Sequence, residues 1–282
     1  MPAYPVIPTL CRPPWGGERL GRDLGKGEGR IGESWEVWRE NRLADGRRLG
    51  DVADLPVLVK LLDTSEMLSV QVHPGDADAR ALAGAPHGKA EAWIVLDAAP
   101  GAKIAYGVNR EMTPAEIAFR ARSGEIEADL AWIAPRPGDV IAVPPGTIHA
   151  IGPGLLLYEV QQPIDLTWRL YDWGRGRPLH LELAAAVANS RPQSGWASRE
   201  GGDGEIFRGQ HFGISRVTCD TTRRSRRWSA VTVVRGQAEV DGISVSTGAT
   251  VVVPPGRSAL RVEGEALVAY GPPVARQVPS NP

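Results

Sequence analysis

The sequence predicts a mainly β protein, with two related antiparallel barrels and a few short helices. Two observations carry this. Short Val/Ile/Leu/Ala runs recur along 282 residues, broken by 33 Gly and 24 Pro, the punctuation of strands and turns. A pattern also repeats: "RPGDVIAVPPGTIHAI" at 136–151 returns as "STGATVVVPPGRSALRV" at 246–262. Each copy has a Gly-led turn, a four-residue apolar strand, Pro-Pro-Gly and a further strand, and the second lies 110 residues after the first. The first copy holds His149 where the second holds Ala259, so only the first barrel is expected to carry polar ligand chemistry.

Taken in order, strands are expected over 57–62, 68–73, 91–96, 102–106, 139–143, 155–160, 231–234, 238–245, 249–253 and 265–270. A helix is expected from Thr113, where Thr as N-cap, Pro114 in the first turn and Glu116 three residues on form a capping-box start. A second, Ala-rich helix is expected around 180–190. The polar, Gly-rich stretch after it has no apolar periodicity and reads as a linker. The expected organisation is a metal-binding domain over 1–192, a linker over 193–204 and a second barrel without metal ligands over 205–282.

A formal net charge of -1 gives no global electrostatic reason to expect nucleic acid or an anionic membrane as partner. The basic run "RRSRR" at 223–227 reads as a solvated loop or edge strand, with a phosphate or nucleic-acid patch as the lesser alternative. Cys11 and Cys219 match no zinc or redox spacing. The N-terminus has no basic start followed by an apolar stretch, and no segment is apolar over ~20 residues, so a cytoplasmic protein is expected.

Candidate ligands lie in the first barrel. In "LSVQVHPGD", Gln71 and His73 sit two apart and share one strand face. Glu91 opens the strand in "GKAEAWIVL", and His149 follows the turn in "PPGTIHAI". Two nitrogens and two oxygens from separate strands suit zinc with room for water or substrate; manganese, iron or cobalt would also accept them. His87, His180 and His211 lack such framing and read as structural.

These stretches, with "EVQQPIDLTWRLYD", "PPWGGERL" and "IGESWEV", resemble type I mannose-6-phosphate isomerases, in particular the short bacterial form built from two cupin barrels. The resemblance runs to about residue 183. It implies a cupin (double-stranded β-helix, jelly-roll) fold and one zinc ion per chain on Gln71, His73, Glu91 and His149. It further implies a catalytic segment on Glu159, Asp165 and Arg169, a Lys-x-Glu lysine at Lys89, and sugar-phosphate contacts at Lys60 and Ser69. The chain departs from the family at Gly75, Ala90 and "IDLTWR", so Ile164, Leu166 and Trp168 are expected to reshape the pocket wall.

The activity so implied interconverts mannose 6-phosphate and fructose 6-phosphate through a cis-enediol. A metal would stabilise the developing negative charge. Glu159 or Lys89 would act as base, Arg169 would face the oxyanion or the phosphate, and Glu33 could shuttle a proton. Alternatives are another metal-dependent cupin enzyme, such as a dioxygenase, and a sugar-binding cupin without turnover. A monomer or weak homodimer is expected, with a small-molecule sugar phosphate as partner.

Overall fold

The computed structural model describes residues 3–194, 197–198 and 202–272. It is mainly β, with few and short helices, and every named strand pairing is antiparallel. Three sheets form, and none closes into a hydrogen-bonded barrel among the described residues.

A seven-stranded sheet orders Ala197–Ser198, Val140–Val143, Glu91–Ala98, Leu155–Gln161, Leu58–Asp63, Glu33–Val37 and Thr9–Cys11. A five-stranded sheet orders Trp168–Tyr171, Val70–Val72, His149–Ile151, Ile104–Val108 and Leu130–Ile133. The third, nine-stranded sheet takes most of its strands from residues beyond 203, and the long Ser229–Val240 and Gly256–Tyr270 strands run through its centre.

Side-chain alternation sorts the core into layers. Along Glu91–Ala98, Trp93 and Val95 pack with Leu62, Ile104, Ile151 and Leu157, between the seven- and five-stranded sheets. Their neighbours Ala92 and Ile94 join Val59, Leu61, Tyr158 and Val160 against Ile214, Val252 and Ala269 of the nine-stranded sheet. On the five-stranded sheet, Val70, Val72, Ala150, Trp168 and Leu170 face the helices, packing with Ile117, Ala121, Leu181 and Ala184. Period two then turns Gln71, His149 and Arg169 into the space between the two sheets. Lys60, Glu91 and Glu159 enter it from the other side, on the face that also carries Leu62, Trp93 and Leu157.

The Pro114–Ser123 helix has the expected capping box: Thr113 Oγ1 accepts the Glu116 N–H at 3.2 Å, and Glu116 accepts the Thr113 N–H at 2.8 Å. The second expected helix is Leu181–Val187. The 231–234 run and the start of the 238–245 run are one strand, Ser229–Val240, irregular between Val233 and Arg235; the rest of the second run is a hairpin turn at Asp241 and Gly242 and the next strand, Ile243–Ser246. Asp241 (φ 50°) and Gly242 (φ 85°) are both left-handed, as the two central positions of a tight hairpin turn require.

Strand pairing joins the segments on either side of 193–204. The N-terminal strand Tyr4–Ile7 pairs with Thr250–Val253, deep in the C-terminal half, and Ala197–Ser198, inside the expected linker, pairs with Val140 and Ile141. A buried hydrogen bond crosses the same boundary. Glu36, fully buried, binds Lys26 at 2.6 Å and accepts from Ser34 at 2.6 Å and from Thr250 at 2.9 Å, and Thr250 continues to Thr232.

Candidate metal centre

His73, Glu91 and His149 meet at one end of the space between the two sheets, all three buried, with one donor atom from each within 4.8 Å of the others. His73 Nε2 lies 3.4 Å from Glu91 Oε1, and His149 Nε2 lies 3.8 Å from Glu91 Oε2. Donors about 2.1 Å from a shared tetrahedral centre stand about 3.4 Å apart, close to these spacings.

The protonation of both rings follows from their second nitrogen. His73 Nδ1 is 2.9 Å from the Leu166 carbonyl oxygen, and His149 Nδ1 is 2.9 Å from that of Thr147. A carbonyl can only accept, so Nδ1 carries the proton and each Nε2 presents a lone pair inward. Burial lowers the pKa of both histidines, that of His73 well below its ordinary value, which keeps them neutral.

Glu91 is ionised. Burial would raise its pKa, but the Lys89 ammonium beside it leads the charges that outweigh burial and hold it at about 2. Lys89 forms an ion pair with Glu91, yet neither Glu91 oxygen accepts a hydrogen bond of good geometry. Gln71 completes the set, its amide end 3.2 Å from His149 Nε2; turning the amide over would put its oxygen there instead. Two inward lone pairs, a buried carboxylate without hydrogen bonds and an invertible amide fit a divalent cation.

The loop that delivers Lys89 and Glu91 is tightly seated. A Cβ on Gly88 would stand 2.5 Å from the Gly75 carbonyl carbon and the Pro74 oxygen, so only glycine fits. The Gly88 N–H donates to Asp76, and the Lys89 N–H to the Pro74 carbonyl. The Pro-Gly turn after His73 is thus the surface on which the ligand-bearing loop rests.

A cavity of about 320 Å³ opens beside the cluster, and Glu33, Lys60, Ser69, Gln71, Lys89, Glu159, Asp165 and Arg169 all line it. Each expected non-ligand site residue therefore reaches one cavity. Glu159 is buried, accepts from Trp93 Nε1 at 2.9 Å, and leaves Oε1 without a hydrogen bond. Desolvation and the nearby Glu91 charge push its pKa up to about 7, against the pull of Lys60. Lys60 lies between Glu33 at 3.5 Å and Glu159 at 3.6 Å and packs on the Trp35 ring. Burial disfavours its charge, but those carboxylates more than restore it, and its pKa is raised. Around Glu33, Lys60 outweighs burial and keeps the carboxyl ionised.

Among the described residues, Arg169 meets no carboxylate. Asp172, the obvious partner, is taken by Arg175 and Arg177, and Asp165 is exposed. Arg169 donates to the Pro178 carbonyl at 2.9 Å while its buried Nε has no acceptor. Desolvation and the neighbouring Arg177 lower its pKa, as for a cation short of counter-charge.

Two expectations are corrected by side-chain direction. Leu166 and Trp168 do not line the cavity; they pack toward the helices, while Asp165, Thr167 and Arg169 alternate into the cavity, and Ile164 does not line it either. His180, read as structural, lines the cavity, with Nδ1 accepting the Arg169 N–H at 3.1 Å. Trp15 and Thr167, which lie within "PPWGGERL" and "EVQQPIDLTWRLYD" without an expected role, also line it, as does Arg177. Only alternation outward from Arg169 could have found Thr167.

The sheets and the cluster define a mainly β protein with a mixed His/Glu/Gln candidate site for a divalent metal. No family model matches the chain. The mannose-6-phosphate isomerase of Streptococcus mutans is 34% identical over 224 residues, covering 66% of this chain and 69% of that one. The mannose-6-phosphate isomerase ManA of Bacillus subtilis is 40% identical over 158 residues, covering 54% of this chain and 49% of that protein, so the chain spans about half the length of this relative. A crystal structure of mannose 6-phosphate isomerase from Bacillus subtilis superposes with a TM-score of 0.83 at 24% identity, over 96% of this chain and 100% of that one. A zinc-bound mannose 6-phosphate isomerase superposes at 0.75 with 14% identity, over 96% and 100%. The chain belongs to the mannose-6-phosphate isomerase family.

Proposed function

We propose that the protein is a zinc-dependent aldose-ketose isomerase that interconverts mannose 6-phosphate and fructose 6-phosphate. The observation that carries this is the pairing of a metal-ready cluster with a buried carboxylate, Glu159, whose pKa of about 7 suits a base at neutral pH. The relatives, by name, supply the sugar phosphate, and the structural neighbour with zinc bound supplies the metal. Gln71, His73, Glu91 and His149 would hold one ion per chain. When bound, a divalent cation supplies Lewis-acid stabilisation to sugar oxygens that gain negative charge.

Converting the aldose to the ketose takes a proton from C2 and delivers one to C1, while a hydroxyl proton leaves O2 and another reaches O1. Glu159 is the better base of the two candidates, because its buried Oε1 accepts no hydrogen bond and it lines the cavity, whereas Lys89 is engaged with Glu91. Lys60 anchors Glu159 and Glu33, and through Glu33 a proton can move toward solvent. Arg169, with no carboxylate of its own among the described residues, supplies fixed positive charge to the enediolate oxygen or the phosphate. Ser69 and Asp165 complete the sugar-facing wall.

We further infer two cupin-type barrels, over 1–192 and 205–282 with 193–204 between them, from the repeated strand, turn and strand. No helix among the described residues is long and apolar enough to cross a membrane, and both cysteines are free thiols. We propose a cytoplasmic location and a monomer or weak homodimer. The test is a coupled assay with several aldose and ketose phosphates, with and without a chelator: chelator-sensitive turnover of mannose 6-phosphate is expected, and turnover indifferent to metal removal would reject the proposal.

A further inference from the structure

We propose that the C-terminal half has an anion site of its own, taking free phosphate or a small phosphate monoester, in the cavity under the basic run. This cavity is about 490 Å³, within the range of small-molecule sites, and Arg208, Arg223, Arg224, Arg226 and Arg227 line it. Its carboxylate, Glu205, is already committed: it binds Arg208 at 2.7 Å and accepts from Tyr270 at 2.7 Å. Among the described residues, Arg223, Arg224, Arg226 and Arg227 have no carboxylate partner. Uncompensated cations therefore border one concavity, Arg223 and Arg227 half-buried and Arg224 and Arg226 exposed, and the buried residues Ser215 and Ser229 back it.

Strand geometry explains how the run reaches inward. Thr221–Ser225 pairs along Gly256–Leu260, and period two half-buries Thr221, Arg223 and Ser225 while Thr222 and Arg224 are exposed. Burial lowers the Arg223 pKa, with only the Tyr270 phenol acting against it. Inward charge on an edge strand can also serve to block pairing with another chain, but that role needs one charge and no cavity. Guanidinium groups are the usual recognisers of phosphate oxygens, through paired N–H donors.

The test is calorimetric titration of inorganic phosphate, and separately glycerol 3-phosphate, into the full metal-loaded chain at fixed moderate salt. Three proteins are compared: wild type, a double variant Arg223→Gln with Arg227→Gln, and Lys60→Gln in the first cavity. Saturable binding is expected in wild type and in Lys60→Gln. It should weaken at least about tenfold in the double variant while isomerase turnover stays unchanged. Equal binding by the double variant would overturn the proposal, as would loss in Lys60→Gln alone. Unsaturable binding outdone by a single-stranded oligonucleotide would also overturn it and assign the patch to nucleic acid. If the double variant does not fold, phenylglyoxal labelling of wild type decides: phosphate should protect the 223–227 arginines, and failure to protect them rejects the site.

Discussion

Around residues 138–151 and again around 248–260 the chain runs a left-handed glycine (Gly138, φ 89°; Gly248, φ 84°) into an apolar strand and a Pro-Pro-Gly turn. After the first turn, His149 starts a three-residue strand held between Gln71 and Tyr106 and is fully buried. After the second, Ala259 lies opposite Thr222 on an edge strand and is exposed. The shared strand and turn are a scaffold. A site also needs the next side chain aimed inward, and partners already waiting there.

The sharpest way to break the comparison is His149→Ala. Metal affinity should fall by more than the roughly 10–100-fold typical of losing a supporting residue, and isomerisation should vanish. Elemental analysis and the coupled assay measure both, and the C-terminal half should keep its near-ultraviolet circular dichroism.

Glu159→Gln should retain metal and lower kcat by about 10²–10⁴. In wild type, turnover should rise with pH through about 7, as the base deprotonates. Stability runs the other way: a carboxyl raised from 4.5 to about 7 favours the fold most below 4.5 and loses that contribution as pH climbs through 7. The melting temperature of metal-free Glu159→Gln should therefore gain on wild type between pH 5 and 8; a constant difference would contradict the raised pKa.

Glu36→Ala leaves Lys26 buried without its partner, removes the acceptor of the Thr250 hydroxyl that links the halves, and should cost about 3–5 kcal/mol in denaturant unfolding. Arg169→Ala should lower kcat by about 10², with zinc content little changed; unaltered turnover would leave Arg169 as a strut for the Pro178 loop. At the small end, Ala259→His should create no zinc site, because that position faces solvent and has no Glu91 or Gln71 near it.

Much of this site could be read from the sequence because short-range alternation sets it. Gln71 and His73 share a face by period two, and the glycine-rich turns beside Lys89 and His149 fix where the strands begin and end. The capping box at Thr113 is equally local. What escaped depends on distant chain. The Glu33–Val37 strand and the N-terminal strands alternate weakly on their own and become strands through partners far along the chain. The helix Asp76–Ala83 buries only Ala79, so it leaves no apolar stripe to recognise. His180 and Arg177 enter the cavity through the fold of the loop after Tyr171, which no periodicity encodes.

Tyr4 and Pro5 leave the ribosome long before their partners, Val252 and Val251. During synthesis the N-terminal half must therefore wait with one strand unplaced until residues 250–253 have emerged. Fragments divided near residue 200 should each show a bare sheet edge and adhere to their own kind, unless the opening eight residues travel with the C-terminal piece.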